Sequence, residues 1–149
     1  FQDKDVVYER ELQKLADDLG ISKRVKWIEG VAYEKLPVLL QASDVIVNFP
    51  IHDGLPVSLF EAAASKRPII TAGLEAYREF LEKSAVAVVN PGDVGALAEA
   101  IKSVLKMKPE ELQSSLDYNY AFVKNEVDYR ICAQGLVKSY MGLLSGKKK

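Results

Sequence analysis

The sequence predicts an α/β protein in which parallel strands alternate with helices. Apolar segments of strand length recur at residues 25–28, 45–47, 69–71 and 85–89, and a segment with helical spacing of apolar residues follows each of them. The connections are too long for hairpins, so the strands should run parallel and be joined by right-handed helical crossovers. Segment 85–89 is almost wholly apolar, as expected for a strand covered on both faces. These observations indicate a Rossmann-like parallel sheet of about four strands sandwiched by helices.

The composition is ordinary for a soluble globular protein and narrows the classes of function to consider. Of the 149 residues, 48% are hydrophobic and 28% are charged, and the formal net charge is −1. A nearly neutral chain gives no electrostatic reason to expect nucleic acid as a partner. No apolar run approaches the ~20 residues that span a bilayer, and no signal-peptide pattern opens the chain, so we expect a cytoplasmic protein. The single cysteine, Cys132, is interpreted as a small core residue.

The first part of the chain is predicted to contain two helices and one strand. Residues 4–19 place apolar side chains on one helical stripe, and Gly20 is a suitable residue to end that helix. Residues 25–28 are predicted as a short strand and residues 33–42 as the second helix. The strand that should precede the first helix is absent, and the chain begins with Phe1 instead of Met. We therefore expect a piece of a longer protein.

The rest of the chain continues the alternation of strands and helices. Further helices are predicted to begin at Pro56, Glu75, Val94, Pro109 and residue 128. Asp93 is expected to cap the helix that begins at Val94, because its side chain can accept a hydrogen bond from the first helical N–H groups. The last helix covers residues 128–144, and a short basic tail, residues 147–149, ends the chain.

The stretch 52–64 carries the most informative chemistry. It follows strand 45–47, turns through Gly54 and enters a helix in which Pro56 is the predicted first residue. The N-terminus of a helix offers unpaired N–H groups and a partial positive charge, which favour an anion. Asp53 and Glu61 bracket the turn. Two carboxylates beside such a helix end suit a ligand that carries both phosphates and hydroxyls.

Each of these residues also has a purely structural explanation. Small polar residues form one narrow stripe on an otherwise apolar helix: Gly54, Ser58, Glu61 and Ser65. From spacing alone, such a stripe more often faces solvent than a ligand. Asp53 in a glycine turn is more often turn chemistry, because aspartate hydrogen-bonds to its own backbone. His52, the only histidine, could act as an acid or base, but a loop histidine is usually just a polar surface residue. Placement favours a site, since the ligand crevice of an open parallel sheet lies at the carboxyl ends of its strands.

Five segments between residues 11 and 106 resemble, in order, the C-terminal, donor-binding half of GT-B-fold retaining glycosyltransferases in the glycosyl transferases group 1 family. These segments are residues 19–30, 42–47, 53–62, 67–70 and 89–101. The third resembles the acidic motif of the family, in which two glutamates are separated by seven residues, here Asp53 and Glu61. The order of the five segments makes the resemblance specific, and it implies a fold that is half of a GT-B architecture.

The resemblance implies an enzyme that transfers a sugar from a nucleotide-diphosphate donor to an unknown acceptor. Transfer would retain the anomeric configuration and need no metal or other cofactor. Asp53 and Glu61 would be the catalytic carboxylates, with Asp53 meeting the hydroxyls of the donor sugar and Glu61 the ribose hydroxyls. Backbone N–H groups at the helix start would approach the sugar or diphosphate, and residues 30–31 would contact the base. The implied donor-binding residues are Gly30, Val31, His52, Gly54, Leu55, Pro56, Val57, Ser58 and Glu61.

The sequence departs from the family in three respects. Asp53 replaces glutamate and reaches one methylene less far. The basic pair that neutralises the leaving diphosphate and the whole N-terminal acceptor domain would lie upstream of residue 1. Because cations that neutralise the leaving diphosphate contribute strongly to catalysis, we expect this chain to be inactive alone. The terminal helix resembles the closing helix of the family, so we divide the chain into a nucleotide-sugar-binding domain, residues 1–127, and a closing helix with a basic tail, residues 128–149.

Two other functions stay open. The chain could be a stand-alone or degenerate half-domain that binds a nucleotide or pairs with a separate acceptor domain. It could also be a scaffold for protein contacts, which predicts an exposed apolar patch and an empty crevice. The expected partners are a nucleotide-diphosphate sugar and the missing N-terminal domain, with no nucleic acid and at most peripheral membrane contact. An upstream Rossmann-like half in the same reading frame would favour the enzyme.

Overall fold

The computed structural model describes the backbone of residues 2–146 and the side chains of residues 6–146. Contacts within the chain cluster into two compact units, Phe1–Tyr33 and Glu34–Lys149. The predicted basic tail, residues 147–149, lies outside the described residues. Each unit is described by itself below.

The first unit is built on one long helix. Helix α1 covers Gln2–Asp18, and the 3-10 turn Ser22–Arg24 follows it. Gly20 terminates the helix as predicted: it lies two residues beyond Asp18 and has a φ of 67°, a conformation that glycine adopts without strain. The N–H of Ile21 donates to the C=O of Ala16 at 2.9 Å, which satisfies a carbonyl of the last turn in a Schellman motif.

Residues 25–28 form no strand, so the prediction for this segment was wrong. Val25 has extended backbone angles, but its N–H donates to the nearby C=O of Ser22, and the segment belongs to no sheet in the described chain. The side chains of Trp27 and Ile28 are 43% and 49% exposed. An apolar segment becomes a strand only where a neighbouring strand pairs with it, and the sequence pattern alone does not supply that neighbour.

The described part of the second unit, which ends at residue 146, contains a parallel sheet and six α-helices. Its strands are β1, Ile46–Asn48, β2, Ile69–Ala72, and β3, Ala87–Val89. Its α-helices are α2, Leu36–Gln41, α3, Val57–Ala64, α4, Arg78–Glu82, α5, Val94–Lys106, α6, Pro109–Phe122, and α7, Tyr129–Leu144. The chain also forms the 3-10 turns Tyr33–Lys35 and Glu75–Tyr77 and the π-helix Val123–Val127. The predicted α/β fold with a parallel sheet is confirmed, but the described sheet has three strands instead of about four.

The sheet is organised around its central strand, β2. The strands lie in the order β1-β2-β3 and both pairs are parallel, with Ile46 opposite Ile69 and Ile70 opposite Ala87. All four residues of β2 are buried, as expected for a strand covered on both faces. The core cluster joins β2 to residues of α3, the 3-10 turn Glu75–Tyr77 and α4: Leu59, Ala62, Ala63, Ile69, Tyr77 and Phe80. The carboxyl ends of all three strands therefore lie on one edge of a rigid layer.

The predicted roles of Asp93 and Pro56 at helix starts have different outcomes. Asp93 caps α5 as predicted, since its Oδ1 accepts a hydrogen bond from the N–H of Ala96 at 2.8 Å. Pro56 is not the first residue of α3, because its ψ of 145° is extended, and the helix begins at Val57. The fixed φ of proline fits both positions, so the sequence could not distinguish them.

Helix α7 exposes its apolar residues. Leu136, Val137 and Leu144 are 54%, 60% and 82% exposed, and no residue of the helix is buried. Cys132 is exposed as well, which corrects the interpretation of this cysteine as a core residue. The reason is that α7 contacts mainly the π-helix Val123–Val127, so its apolar stripe has no partner in the described chain. No helix among residues 2–146 has the length and apolar character needed to cross a membrane.

A buried asparagine joins α6 to the segment that leads into β3. Asn119 is 2% exposed, and its side-chain amide contacts both backbone groups of Ala85. Oδ1 accepts from the N–H of Ala85 at 2.7 Å, and Nδ2 donates to its C=O at 2.9 Å. The amide thereby pairs with Ala85 as the backbone of a neighbouring strand would.

We expect Asn119→Ala to lower the free energy of unfolding by about 1–3 kcal/mol, because it leaves two backbone groups of Ala85 without partners. Urea denaturation followed by circular dichroism measures the change. Asn125→Ala, at an exposed position of the π-helix, is the matched control and should change stability by less than about 0.5 kcal/mol. Equal stability of the two variants would show that the contact with Ala85 contributes nothing.

Candidate functional site

The candidate site lies where β1 ends and α3 begins. Residues 49–56 connect Asn48, the last residue of β1, to Val57, the first residue of α3. In a parallel sheet this is the edge at which ligands bind. The segment from Ile46 to Ala64 contains no lysine or arginine. Within this segment, the groups that can attract an anion are therefore the backbone N–H groups at the start of the helix.

The start of α3 leaves backbone donors available. No side chain caps this helix, and among the described residues the N–H groups of Val57 and Ser58 have no acceptor in the chain. Both residues are exposed. The helix is eight residues long. These N–H groups belong to its first turn and therefore lie at the positive end of its dipole. They can donate hydrogen bonds to an anionic oxygen.

Glu61 lies on α3, one turn beyond these donors. It is half-buried, while Leu59 and Ala62 on either side of it are fully buried in the core. Within residues 6–146, the Glu61 carboxylate has no hydrogen bond or ion pair. A carboxylate on a helix that packs one face into the core, with both oxygens unpaired, can accept hydrogen bonds from two neighbouring hydroxyls of a ligand.

Asp53 lies in the connecting loop, and its carboxylate accepts a hydrogen bond from a buried tyrosine. The hydroxyl of Tyr77 donates to Oδ2 of Asp53 at 2.9 Å, and Oδ1 of Asn48 lies 3.4 Å from the same hydroxyl. Tyr77 is 0% exposed. Burial raises the pKa of Tyr77 to about 12, and the hydrogen bond from Tyr77 to Asp53 and the Asp53 charge act in the same direction. The phenol therefore stays protonated as a donor at neutral pH.

The sequence-predicted site residues fall into two groups. The exposed members of the second unit lie together around the loop and the start of α3: His52, Asp53, Gly54, Leu55, Val57 and Ser58. Pro56 and Glu61 of the same group are half-buried. Gly30 and Val31 are exposed residues of the first unit, Phe1–Tyr33, in the coil that follows α1.

The backbone conformation at position 54 does not require a glycine. Its φ lies outside the left-handed region, and a Cβ built there meets no atom within 4 Å. The turn through Gly54 is therefore open on its outer side, where a ligand can approach the backbone closely. Among the side chains of residues 6–146, no group of three His, Cys, Asp or Glu could hold a metal ion.

Sequence reasoning missed Tyr77 and Asn48, which complete the site. Tyr77 was hidden within a predicted helix over residues 75–83, and it ends the 3-10 turn Glu75–Tyr77 that follows β2. Its hydroxyl reaches Asp53 across 24 residues of sequence, so no local pattern indicates the contact. Asn48 carried a weak signal, because it is a polar residue at the carboxyl end of a predicted strand.

Alkaline pH should expose the contribution of Tyr77 to stability. The unfolded-state pKa of tyrosine is about 10 and the folded value is about 12, so the contribution is complete below pH 10. Between pH 10 and 12 the unfolded chain loses the proton while the folded chain keeps it. The free energy of unfolding then falls by up to about 1.4 kcal/mol per pH unit. Urea titrations at pH 9 to 11.5 measure how steeply the free energy of unfolding falls with pH. Tyr77→Phe is the control, because it lacks the share of this slope that comes from Tyr77. Identical slopes for the two proteins would contradict the prediction.

Known proteins are similar to this chain in both sequence and fold. The O-antigen chain mannosyltransferase RfbU of Salmonella typhimurium is 29% identical over 97 residues, which cover 65% of this chain and 27% of that protein. The MMP alpha-(1->4)-mannosyltransferase of Mycolicibacterium hassiacum is 30% identical over 103 residues, which cover 68% of this chain and 25% of that protein. A sucrose-phosphate synthase from Thermosynechococcus elongatus has the same fold, with a TM-score of 0.83 at 20% identity over 94% of this chain and 35% of that one.

The relatives and the structural neighbour are much longer than this chain. The chain spans about a quarter of the length of the two mannosyltransferases, 27% and 25%. The structural neighbour confirms a Rossmann-like half of a GT-B fold. The model of the family described as "Glycosyl transferases group 1" matches residues 5–121, which include the loop after β1, α3 and Tyr77. The chain therefore belongs to the glycosyl transferases group 1 family.

Proposed function

We propose that this chain binds the nucleotide-diphosphate sugar donor of a retaining glycosyltransferase. The observation that carries the proposal is the pair Asp53 and Glu61 on either side of an uncapped helix start, at the carboxyl edge of a parallel sheet. The three parts of such a donor need different chemistry, and this site offers a separate group for each part. Membership in the family supports an enzyme, and two relatives are named as mannosyltransferases.

Glu61 is the proposed partner of the ribose. Its carboxylate is unpaired within the described side chains, and the helix that carries it is fixed by Leu59 and Ala62 in the core. Two adjacent ribose hydroxyls can donate to its two oxygens in one geometry. Such charge-assisted bonds would hold the nucleotide whatever sugar is attached.

The start of α3 is the proposed site of the diphosphate, and Asp53 is the proposed partner of the sugar. The unpaired N–H groups of Val57 and Ser58 can donate to phosphate oxygens. Asp53 can accept a hydrogen bond from a sugar hydroxyl, with His52 and Gly54 beside it. Gly30 and Val31 are proposed to contact the base through their backbone.

We propose that the chain binds the donor without turning it over. Breaking the bond between the anomeric carbon and the diphosphate oxygen leaves a negative charge on the diphosphate. Cationic groups that stabilise this charge are a large part of catalysis. The segment Ile46–Ala64 supplies none, since it contains no lysine or arginine. We propose that residues outside this chain supply these cations, that a further, N-terminal domain holds the acceptor site, and that transfer needs no metal.

The exposed face of α7 is the proposed contact with that domain. Leu136, Val137 and Tyr140 are 54%, 60% and 58% exposed and lie on one side of the helix. An exposed apolar stripe of this length usually marks an interface. This proposal keeps the division of the chain into two parts. Residues 1–127 would bind the donor, and residues 128–149 would pack against the second domain.

Isothermal titration calorimetry of this chain with UDP, GDP and ADP tests the proposal. We expect one of the three diphosphates to bind, because the base contacts at residues 30–31 would select among them. Binding of none would contradict donor recognition. The exposed face of α7 would then favour the alternative, a protein-interaction module without catalysis.

A further inference from the structure

Loop residues 49–55 have a single hydrogen bond to the rest of the described chain. No backbone N–H or C=O of this loop takes part in a backbone hydrogen bond within residues 2–146. The one bond is the contact between Asp53 Oδ2 and the hydroxyl of Tyr77, at 2.9 Å. Five consecutive loop residues, 51–55, are exposed. The geometry of Asp53 therefore depends on Tyr77.

Tyr77 itself is held firmly. It is 0% exposed and belongs to the core cluster that also contains Leu59 and Ala62 of α3. These residues lie next to Glu61 on the same helix, so Tyr77 and Glu61 are fixed to one packed layer. The bond from Tyr77 to Asp53 thus sets the position of one carboxylate relative to the other.

We propose that Tyr77 is a positioning residue for donor recognition: it holds the Asp53 loop and directs one oxygen of the Asp53 carboxylate toward the donor sugar. This inference rests on the proposed function. The phenol occupies Oδ2, which leaves Oδ1 to accept from a sugar hydroxyl. A short aspartate on a loop without backbone hydrogen bonds would otherwise have many orientations to lose on binding. The role concerns the sugar and not the nucleotide, whose proposed contacts lie on α3.

Tyr77→Phe tests this inference, because it keeps the buried ring and removes only the hydroxyl. The probes are the diphosphate found to bind and its sugar nucleotides, from UDP and UDP-glucose, GDP and GDP-mannose, or ADP and ADP-glucose. We expect calorimetry to show about a 10-fold loss of affinity for the sugar nucleotide, the size of one charge-assisted hydrogen bond. Affinity for the diphosphate alone should change by less than about 2-fold. Tyr118→Phe, on the exposed surface of α6, is the matched control.

The combination with Asp53→Ala separates positioning from general destabilisation. If Tyr77 acts through Asp53, Tyr77→Phe should cause no further loss of sugar-nucleotide affinity in the Asp53→Ala background. Equal loss for the diphosphate and the sugar nucleotide, or no loss for either, would overturn the inference while leaving the proposed function intact.

A measurement without ligand distinguishes failure of the inference from failure of the proposed function. In Tyr77→Phe we expect the ¹⁵N heteronuclear NOE of residues 51–55 to fall relative to the wild type, because the variant lacks their one hydrogen bond to the rest of the described chain. Unchanged values would overturn the positioning role, whether or not a nucleotide binds. Absence of nucleotide binding by the wild type would instead contradict the proposed function.

Discussion

Glu61→Ala is expected to weaken binding of the nucleoside diphosphate by about 10- to 100-fold, the loss caused by removing charge-assisted hydrogen bonds of about 1.5–3 kcal/mol in total. The prediction follows from the position of the carboxylate, which is unpaired in the described chain and mounted on a helix whose neighbouring residues are buried. Removing it costs the fold little, since it leaves no partner unsatisfied. Calorimetry of the wild type and the variant with the same diphosphate measures the ratio of affinities.

Glu99→Ala is the control for this experiment. Glu99 is an exposed glutamate of α5 whose Oε1 lies 2.7 Å from Nζ of Lys102. Like Glu61→Ala, Glu99→Ala removes one negative charge from the chain. Diphosphate affinity should be unaffected. A Glu61→Ala variant that binds as tightly as Glu99→Ala would exclude Glu61 as the ribose contact.

Phe80→Ala is expected to lower the free energy of unfolding by about 3–5 kcal/mol, a large part of the 5–15 kcal/mol typical of a domain. Phe80 is 1% exposed and belongs to the core cluster. Its ring lies edge-on to Phe60, with 5.6 Å between the centroids, and 6.2 Å from the ring of Phe122. The substitution removes these contacts and leaves a cavity between α3, α4 and α6 that the surrounding helices can fill only in part.

Tyr118→Ala provides the comparison for a lost aromatic ring at the surface. Tyr118 lies on α6 and is 56% exposed, so its removal should change stability by less than about 0.5 kcal/mol. Urea denaturation of both variants gives the difference. A loss of under about 1 kcal/mol for Phe80→Ala would mean that the aromatic cluster does not form the core described above.

Local signals in the sequence predicted the elements whose stability is local. Gly20 ends α1 and Asp93 caps α5 because each acts on the nearest turn of its own helix. The strand and helix alternation was predicted for the same reason, since apolar periodicity reflects which face of an element is buried. The acidic pair was found because both residues lie within one short stretch of sequence.

The features that the sequence did not reveal depend on contacts between distant residues. Asn119 is paired with Ala85 across 34 residues, and Tyr77 with Asp53 across 24. Neither the type of these residues nor their spacing in the sequence indicates such a distant partner. The prediction for residues 25–28 failed in the opposite way: they have the composition of a strand, but no strand in the described part of the chain pairs with them. The exposure of Cys132 likewise depends on what packs against α7, which periodicity does not specify.

An NMR titration of the ¹⁵N-labelled chain with the diphosphate that binds tests the central claim most directly, because it locates the ligand. If the donor binds at the carboxyl edge of the sheet, the largest amide shifts will be those of Gly54, Val57, Ser58 and Glu61. A groove at the opposite end of β2, lined by residues that include Arg67, Leu112 and Gln113, should show no shifts. Largest shifts in that groove, with none at the start of α3, would contradict the assignment of the donor site.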